Sequence, residues 1–188
     1  MGGSWADGDL NADLDAWAAG ARAQDAAAAR VRQRWLRQQA DEQADFVSLL
    51  VELRERATTT TVTTVSGRTH RGRIRVVGRD CLVLVTTRGR TVVVAASAVL
   101  AVRSDEDRAV TLAVDTRPPG DESMAELVRR AAVDRPRITV HTVGGAEPLV
   151  GELQACGLDV LALLVAGEPP VPVYLRLPSV SEMSFDSG

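Results

Sequence analysis

The sequence predicts an α+β protein, mainly β: an N-terminal helical region, then two tandem five-stranded small barrels, the second preceded by a short helix. Three observations predict it. Gly72, Gly78, Asp80, Leu82 and Leu84 recur as Gly151, Gly157, Asp159, Leu161 and Leu163, at a constant offset of 79 residues. An internal repeat fixes architecture before any local motif does. Residues 10–56 contain no Pro and one Gly, among Ala, Arg, Gln, Glu and Leu that all suit a helix. The remaining apolar residues fall in short β-branched runs separated by Gly turns, the signature of a small barrel or sandwich.

Residues 1–9 are Gly- and Asp-rich and are expected to be disordered. In the helical region, Phe46, Leu49, Leu50 and Leu53 form one apolar stripe at i, i+3, i+4, i+7. The polar stretch Gln38 to Glu42 either breaks the helix or carries it on through solvent.

The first barrel is expected over 58–115. It opens on the Thr-rich run 58–64, which disfavours helix and suits a strand. Alternation at Arg73, Ile74, Arg75 and Val76 gives a strand with one wet face. Strands follow at 81–86, 91–95 and 99–102, with Arg88-Gly89 as a hairpin turn, and Val110 to Val114 adds a further candidate strand. The segment 116–136 is a linker and helix. Ser123 and Glu126 form a capping box there, and Asp134 and Pro136 end the helix. The second barrel spans 137–183, with strands at 138–143, 149–155, 158–165, 171–177 and 180–183. Residues 184–188 form a polar tail.

Charge separates the two halves. All 22 basic residues are Arg, as a GC-rich, bacterial-type coding sequence would produce. Residues 61–103 hold eight Arg against one acid, a net +7; residues 137–183 hold two Arg against five acids, a net −3. Similar units with opposite charge have divergent surfaces. Cys81 and Cys156 lie in apolar runs and read as buried free thiols. The N-terminus shows no signal peptide and no apolar run is long enough to span a bilayer, so a cytoplasmic location is expected, without membrane contact.

The order of elements resembles the Sm-like (LSm) fold, a helix packed on a strongly bent five-stranded barrel. The resemblance rests on Val65-Ser66-Gly67-Arg68, Gly72-Arg73-Ile74, Asp80, Gly89 and Val92–Val94, and in the second half on Gly145, Gly151-Glu152-Leu153, Asp159 and Val173-Tyr174-Leu175. It implies Sm-like small barrels, RNA binding and ring assembly. The family's base-contacting set is not kept, because Asp80 is followed by Cys81-Leu82-Val83, so no base-pocket residue is carried over.

The main candidate site is the basic stripe Arg68, Arg71, Arg73, Arg75 and Arg79. Clustered guanidiniums present paired donors to phosphate and keep their charge. They point to RNA or DNA backbone binding that depends on salt more than on sequence. The competing class is a protein–protein adaptor or homo-oligomer that uses its helices and barrel edges, with Trp17 and Trp35 as partner anchors. His70 and His141 have no ligand-type neighbours at metal spacing, and Asp80 and Asp159 follow Gly in turns, where Asp bonds local backbone. No cofactor, metal or catalytic group is expected.

Overall fold

The computed structural model describes residues 7–43, 45–106, 120–145 and 147–185. The chain divides into two compact units, residues 1–44 and 45–188. The first unit is one helix, α1 (Asp7–Gln43). Residues 7–9 are therefore helical rather than disordered, while residues 1–6 lie outside the described residues. The helix runs through the polar stretch at 38–42 to Gln43.

The second unit opens with α2 (Phe46–Glu55). Asp45 caps it: Oδ1 accepts from the Ser48 amide at 2.8 Å and Oδ2 from the Ser48 hydroxyl at 2.8 Å. These bonds, the amide first, hold the Asp45 carboxyl below its ordinary range. Of the stripe inferred from sequence, Leu50 and Leu53 are buried, Leu49 is half-buried and Phe46 is exposed; Val51, outside that stripe, is buried as well. Ala57, with φ of 51°, turns the chain into the sheet.

Ten strands follow: β1 (Thr59–Thr64), β2 (Thr69–Val77), β3 (Cys81–Thr86), β4 (Thr91–Ala95), β5 (Val99–Ser104), β6 (Arg137–Thr142), β7 (Leu149–Cys156), β8 (Val160–Val165), β9 (Val171–Arg176) and β10 (Val180–Phe185). They form one antiparallel sheet that does not close, in the order β5-β1-β2-β3-β4-β10-β6-β7-β8-β9. The two tandem five-strand units expected from sequence are joined in a single sheet, because β4 pairs with β10. β10 extends to Phe185 through this pairing, so Ser184 and Phe185 are strand, not tail. The expected strand at 110–114 lies outside the described residues.

The two five-strand sets share one strand order, and their registers match. Gly72 faces Thr86 and Ile74 faces Leu84, with a register shift before Val76; Gly151 faces Val165 and Leu153 faces Leu163, with a shift before Ala155. The glycines follow from this geometry. A Cβ on Gly72 would collide with the Val85 carbonyl oxygen, and one on Gly151 would sit 2.8 Å from that of Leu164. Both strands cross their neighbours too closely for any side chain.

Strands β3 and β4 are buried on both faces. Leu82, Leu84, Val92 and Val94 join the core beneath α2. The alternate residues Cys81, Val83, Val93 and Ala95 join a second core with Ile138, Leu153, Leu161 and Met183. Two-sided burial explains why 81–85 is an unbroken apolar run rather than an alternating one.

Helix α3 (Met124–Ala131) ties the two strand sets together. Its capping box forms as expected: the Ser123 amide donates to Glu126 at 2.7 Å and the Glu126 amide to Ser123 Oγ at 3.3 Å. Asp80 Oδ1 accepts from the Met124 amide at 2.7 Å. Asp80 therefore serves a distant helix start, not the backbone of its own turn. From the other end of α3, Arg129 donates to the carbonyls of Cys156 and Gly157, both at 3.2 Å.

Replacing Gly72 by Ala should cost about 1–3 kcal/mol of stability through the forced clash, and Asp80→Ala about 1 kcal/mol through the lost helix-start acceptor. Urea midpoints measure both. A Gly72→Ala protein as stable as wild type would show that β2 does not approach β3 this closely.

Candidate nucleic-acid interface

Arg71, Arg73 and Arg75 project from the exposed face of β2, while the intervening Gly72 and Ile74 are buried. Strand periodicity requires this. Arg68 stands in the β1–β2 turn and Arg79 in the β2–β3 turn. The five do not form one stripe. Arg68 and Arg71 line a groove of about 380 Å³ together with Arg88 and Arg90. Arg73 and Arg75 line a second groove of about 260 Å³. Thr86 and Thr87 belong to both grooves, so the two adjoin. Arg79 lies apart, in a cavity of about 430 Å³ beside Ser123 and Glu126.

Two of these arginines already have acidic partners. Arg71 reaches Asp105 at 2.6 Å. Arg68 Nε stands 2.7 Å from Glu182 Oε1. Arg73 and Arg75 are exposed and have no acid at ion-pair distance among the described residues. Arg88 and Arg90 enter the groove because the β3–β4 turn lies against β2, where the Thr87 amide donates to the Arg71 carbonyl at 3.0 Å. Sequence reasoning counted both as basic residues but lacked the strand pairing that places them beside Arg71.

Beneath the larger groove is a buried ionic cluster that sequence reasoning missed. Glu182, only 1% exposed, sits on β10 between two arms of the sheet. His70 Nε2 lies 2.9 Å from its Oε1, and His141 is its cross-strand neighbour on β6. Burial pushes the Glu182 carboxyl up, but His70, Thr64 and Arg68 outweigh burial and hold it below the ordinary carboxylate range. His141 is pushed down, first by burial and then by the positive charge of Arg68. The available signal was a lone acid between Ser181 and Met183 in an otherwise core-like strand.

The remaining candidates are chemically quiet. Cys81 and Cys156 are buried and free. Burial, followed by the nearby Asp80 charge, pushes the Cys81 thiol up to about 12, and burial raises Cys156. Both thiols therefore stay protonated at neutral pH. Among the described residues no group of His, Cys, Asp and Glu converges to hold a metal ion, and no helix is long and apolar enough to cross a membrane. Trp17 and Trp35 on α1 are 75% and 63% exposed. Their spacing of 18 residues is five helical turns, which puts both on one side of the helix.

The shifted groups set a pH dependence. A base whose folded pKa is depressed is less protonated in the folded state than in the unfolded state. Stability from keeping His141 neutral is therefore full above about pH 6.5 and falls as the solution is acidified below it. For Glu182, the contribution is full above the ordinary Glu value and is lost as pH falls through its lowered folded value. The urea midpoint should drop from pH 7.5 to pH 5.5, and His141→Asn should flatten that part of the curve. An unchanged slope in the variant would remove His141 from the account.

Compared with known proteins, the chain matches no protein-family model and no curated protein sequence.

Proposed function

We propose that this chain is a non-catalytic binding protein that holds the phosphate backbone of a nucleic acid, RNA in the first instance, along the adjoining Arg-lined grooves of its first strand set. The observation that carries this reading is the convergence of Arg73 and Arg75 in one groove with Arg88 and Arg90 in the next, joined at Thr86 and Thr87. Guanidiniums in a shallow groove favour phosphate oxygens. The grooves' lining contains no Phe, Tyr or Trp, and its one imidazole, His70, is largely buried against Glu182, so binding is expected to ignore sequence. A finer part of the same proposal is that each five-strand set is a Sm-like barrel unit of a duplicated pair. The shared strand order and matched registers support that part.

The arginines divide by task. Arg68 and Arg71 are committed to Glu182 and Asp105, so they position the groove. Arg73 and Arg75 contact the ligand. If about three phosphates are neutralised, log affinity should fall against log salt with a slope of about −2 to −3. Filter binding of a short single-stranded RNA at 50 and 200 mM salt tests this. Arg73→Ala/Arg75→Ala should weaken binding at least tenfold and flatten the salt slope. No affinity near 50 mM salt, or an unaffected double variant, would overturn the reading.

A second reading rests on the exposed tryptophans. Trp17 and Trp35 on one side of α1 suit a partner-binding helix. It predicts a co-purifying protein that is lost on Trp17→Ala/Trp35→Ala.

A further inference from the structure

We infer that helix α1 pairs with α1 of a second copy of this chain, as a two-stranded antiparallel coiled coil. Along α1, positions 17, 21, 24, 28, 31 and 35 follow one another in steps of four and three, the spacing of a coiled-coil seam. They are Trp17, Ala21, Gln24, Ala28, Val31 and Trp35, so all but one are apolar. Positions 10 and 14 continue the same spacing, and both are leucine in the sequence. Trp17, Val31 and Trp35 are exposed to solvent. Among the described residues α1 is the one element of its unit, so the second strand that such a seam needs comes from outside that unit.

Charge identifies that strand as another α1 and sets its direction. Residues 7–15 hold four Asp and no base, a net −4; residues 30–37 hold four Arg and no acid, a net +4. Between them Arg22 and Asp25 cancel. A helix charged in this way complements a copy of itself only when reversed, because parallel pairing sets −4 on −4 and +4 on +4.

The same charges choose the register. Laying 7–15 on the basic segment of the second copy, with the seam kept facing, sets Trp17 against Ala28 of the second copy and Ala21 against Gln24 of the second copy. Val31 and Trp35 then stand level with positions 14 and 10 of the second copy. A bulky indole at 17 meets a small residue, as interdigitated packing requires. Position 13, an Asp, and Arg34 of the second copy flank the seam on the same side, at the sites where coiled coils carry their interhelical ion pairs. The next register, one heptad away, would set Trp17 on Trp35 and lay 7–15 on residues 37–45, where Asp41, Glu42 and Asp45 repel it. In the chosen register residues 10–35 overlap over about 39 Å. The contact uses one surface on both copies, so it closes at two chains. The pairing rests on the reading of α1 as a partner-binding helix, whose partner it names, and not on nucleic-acid binding.

Sedimentation of the full-length protein at about 100 μM should give about 40 kDa, twice the 20.0 kDa of one chain, with the single-chain mass emerging on dilution. Arg34→Glu should weaken the dimer about tenfold or more, and adding Asp13→Arg should restore it by re-forming the pair with its charges exchanged. Oxidative cross-linking reads the direction. Val31→Cys mixed with Leu14→Cys should link. Val31→Cys alone should not, because in antiparallel helices its own mate lies about 26 Å along the pair. The native thiols are buried. A single-chain mass at the higher concentration, linking of Val31→Cys with itself, or an Asp13→Arg/Arg34→Glu protein no better paired than Arg34→Glu would overturn the proposal. A single-chain mass with a different protein held through Trp17 and Trp35 would overturn it while leaving the partner-binding reading of α1 intact. A mass and a partner set unchanged in Trp17→Ala/Trp35→Ala would overturn both.

Discussion

The antiparallel ladder between β4 and β10 is the contact on which the rest of the sheet unit depends. It turns two five-strand sets into one sheet and gives β3 and β4 a second buried face. Without it, Cys81, Val83 and Val93 would face water from the side opposite α2, while Met183 and Val180 would lose their cover. Each such side chain contributes roughly 1.5–3 kcal/mol by leaving water. A set of about 45 residues is too small to supply a robust core alone. The helices divide the remaining work: α2 covers the inner face of the first set, and α3 fastens the turn at Asp80 to the turn at Gly157.

The ladder is also where the molecule accepts a buried charge. A carboxylate with almost no exposure is costly unless paired. Glu182 meets Arg68 at 2.7 Å and His70 at 2.9 Å, yet its Oε2 lacks a hydrogen bond of good geometry. The cluster is thus under-satisfied, and an apolar pair would serve stability as well. What it supplies is register. A slip of two residues along β10 would carry Glu182 away from both partners and put Val180 or Ser184 in its place.

Much of the fold was legible because local patterns and sterics coincide. The burial of Leu50 and Leu53, the capping box at Ser123 and Glu126, and the strands at 81–86 and 91–95 all follow from periodicity or turn chemistry within a few residues. The recurring Gly72 and Gly151 were legible as a pattern before their cause, the close strand crossing, was visible. The β4–β10 pairing was not legible, because nothing local in Val92–Val94 distinguishes a barrel edge from a central strand. The site was legible in part for the same reason. Arginine content placed the charge on the first set, but which guanidiniums already have an acidic partner depends on acids 34 and 114 residues away, at Asp105 for Arg71 and Glu182 for Arg68.

That dependence bears on how a basic segment should be weighed. A net charge of +7 over 61–103 suggests a wide polyanion surface, yet Arg68 is held by a buried acid from the other set and Arg71 by the acid just beyond β5. Arg73 and Arg75 are left on the exposed face of β2, in the groove that adjoins the one lined by Arg88 and Arg90. Because Glu182 anchors Arg68, the same residue that fixes the register of β10 also shapes the rim of the larger groove. Acidification that loosens Glu182 or charges His141 would act on both at once, since His141, His70 and Arg68 share one carboxylate. Groove and junction are therefore one electrostatic unit, and the shape of the proposed ligand surface is set by the strand pairing beneath it.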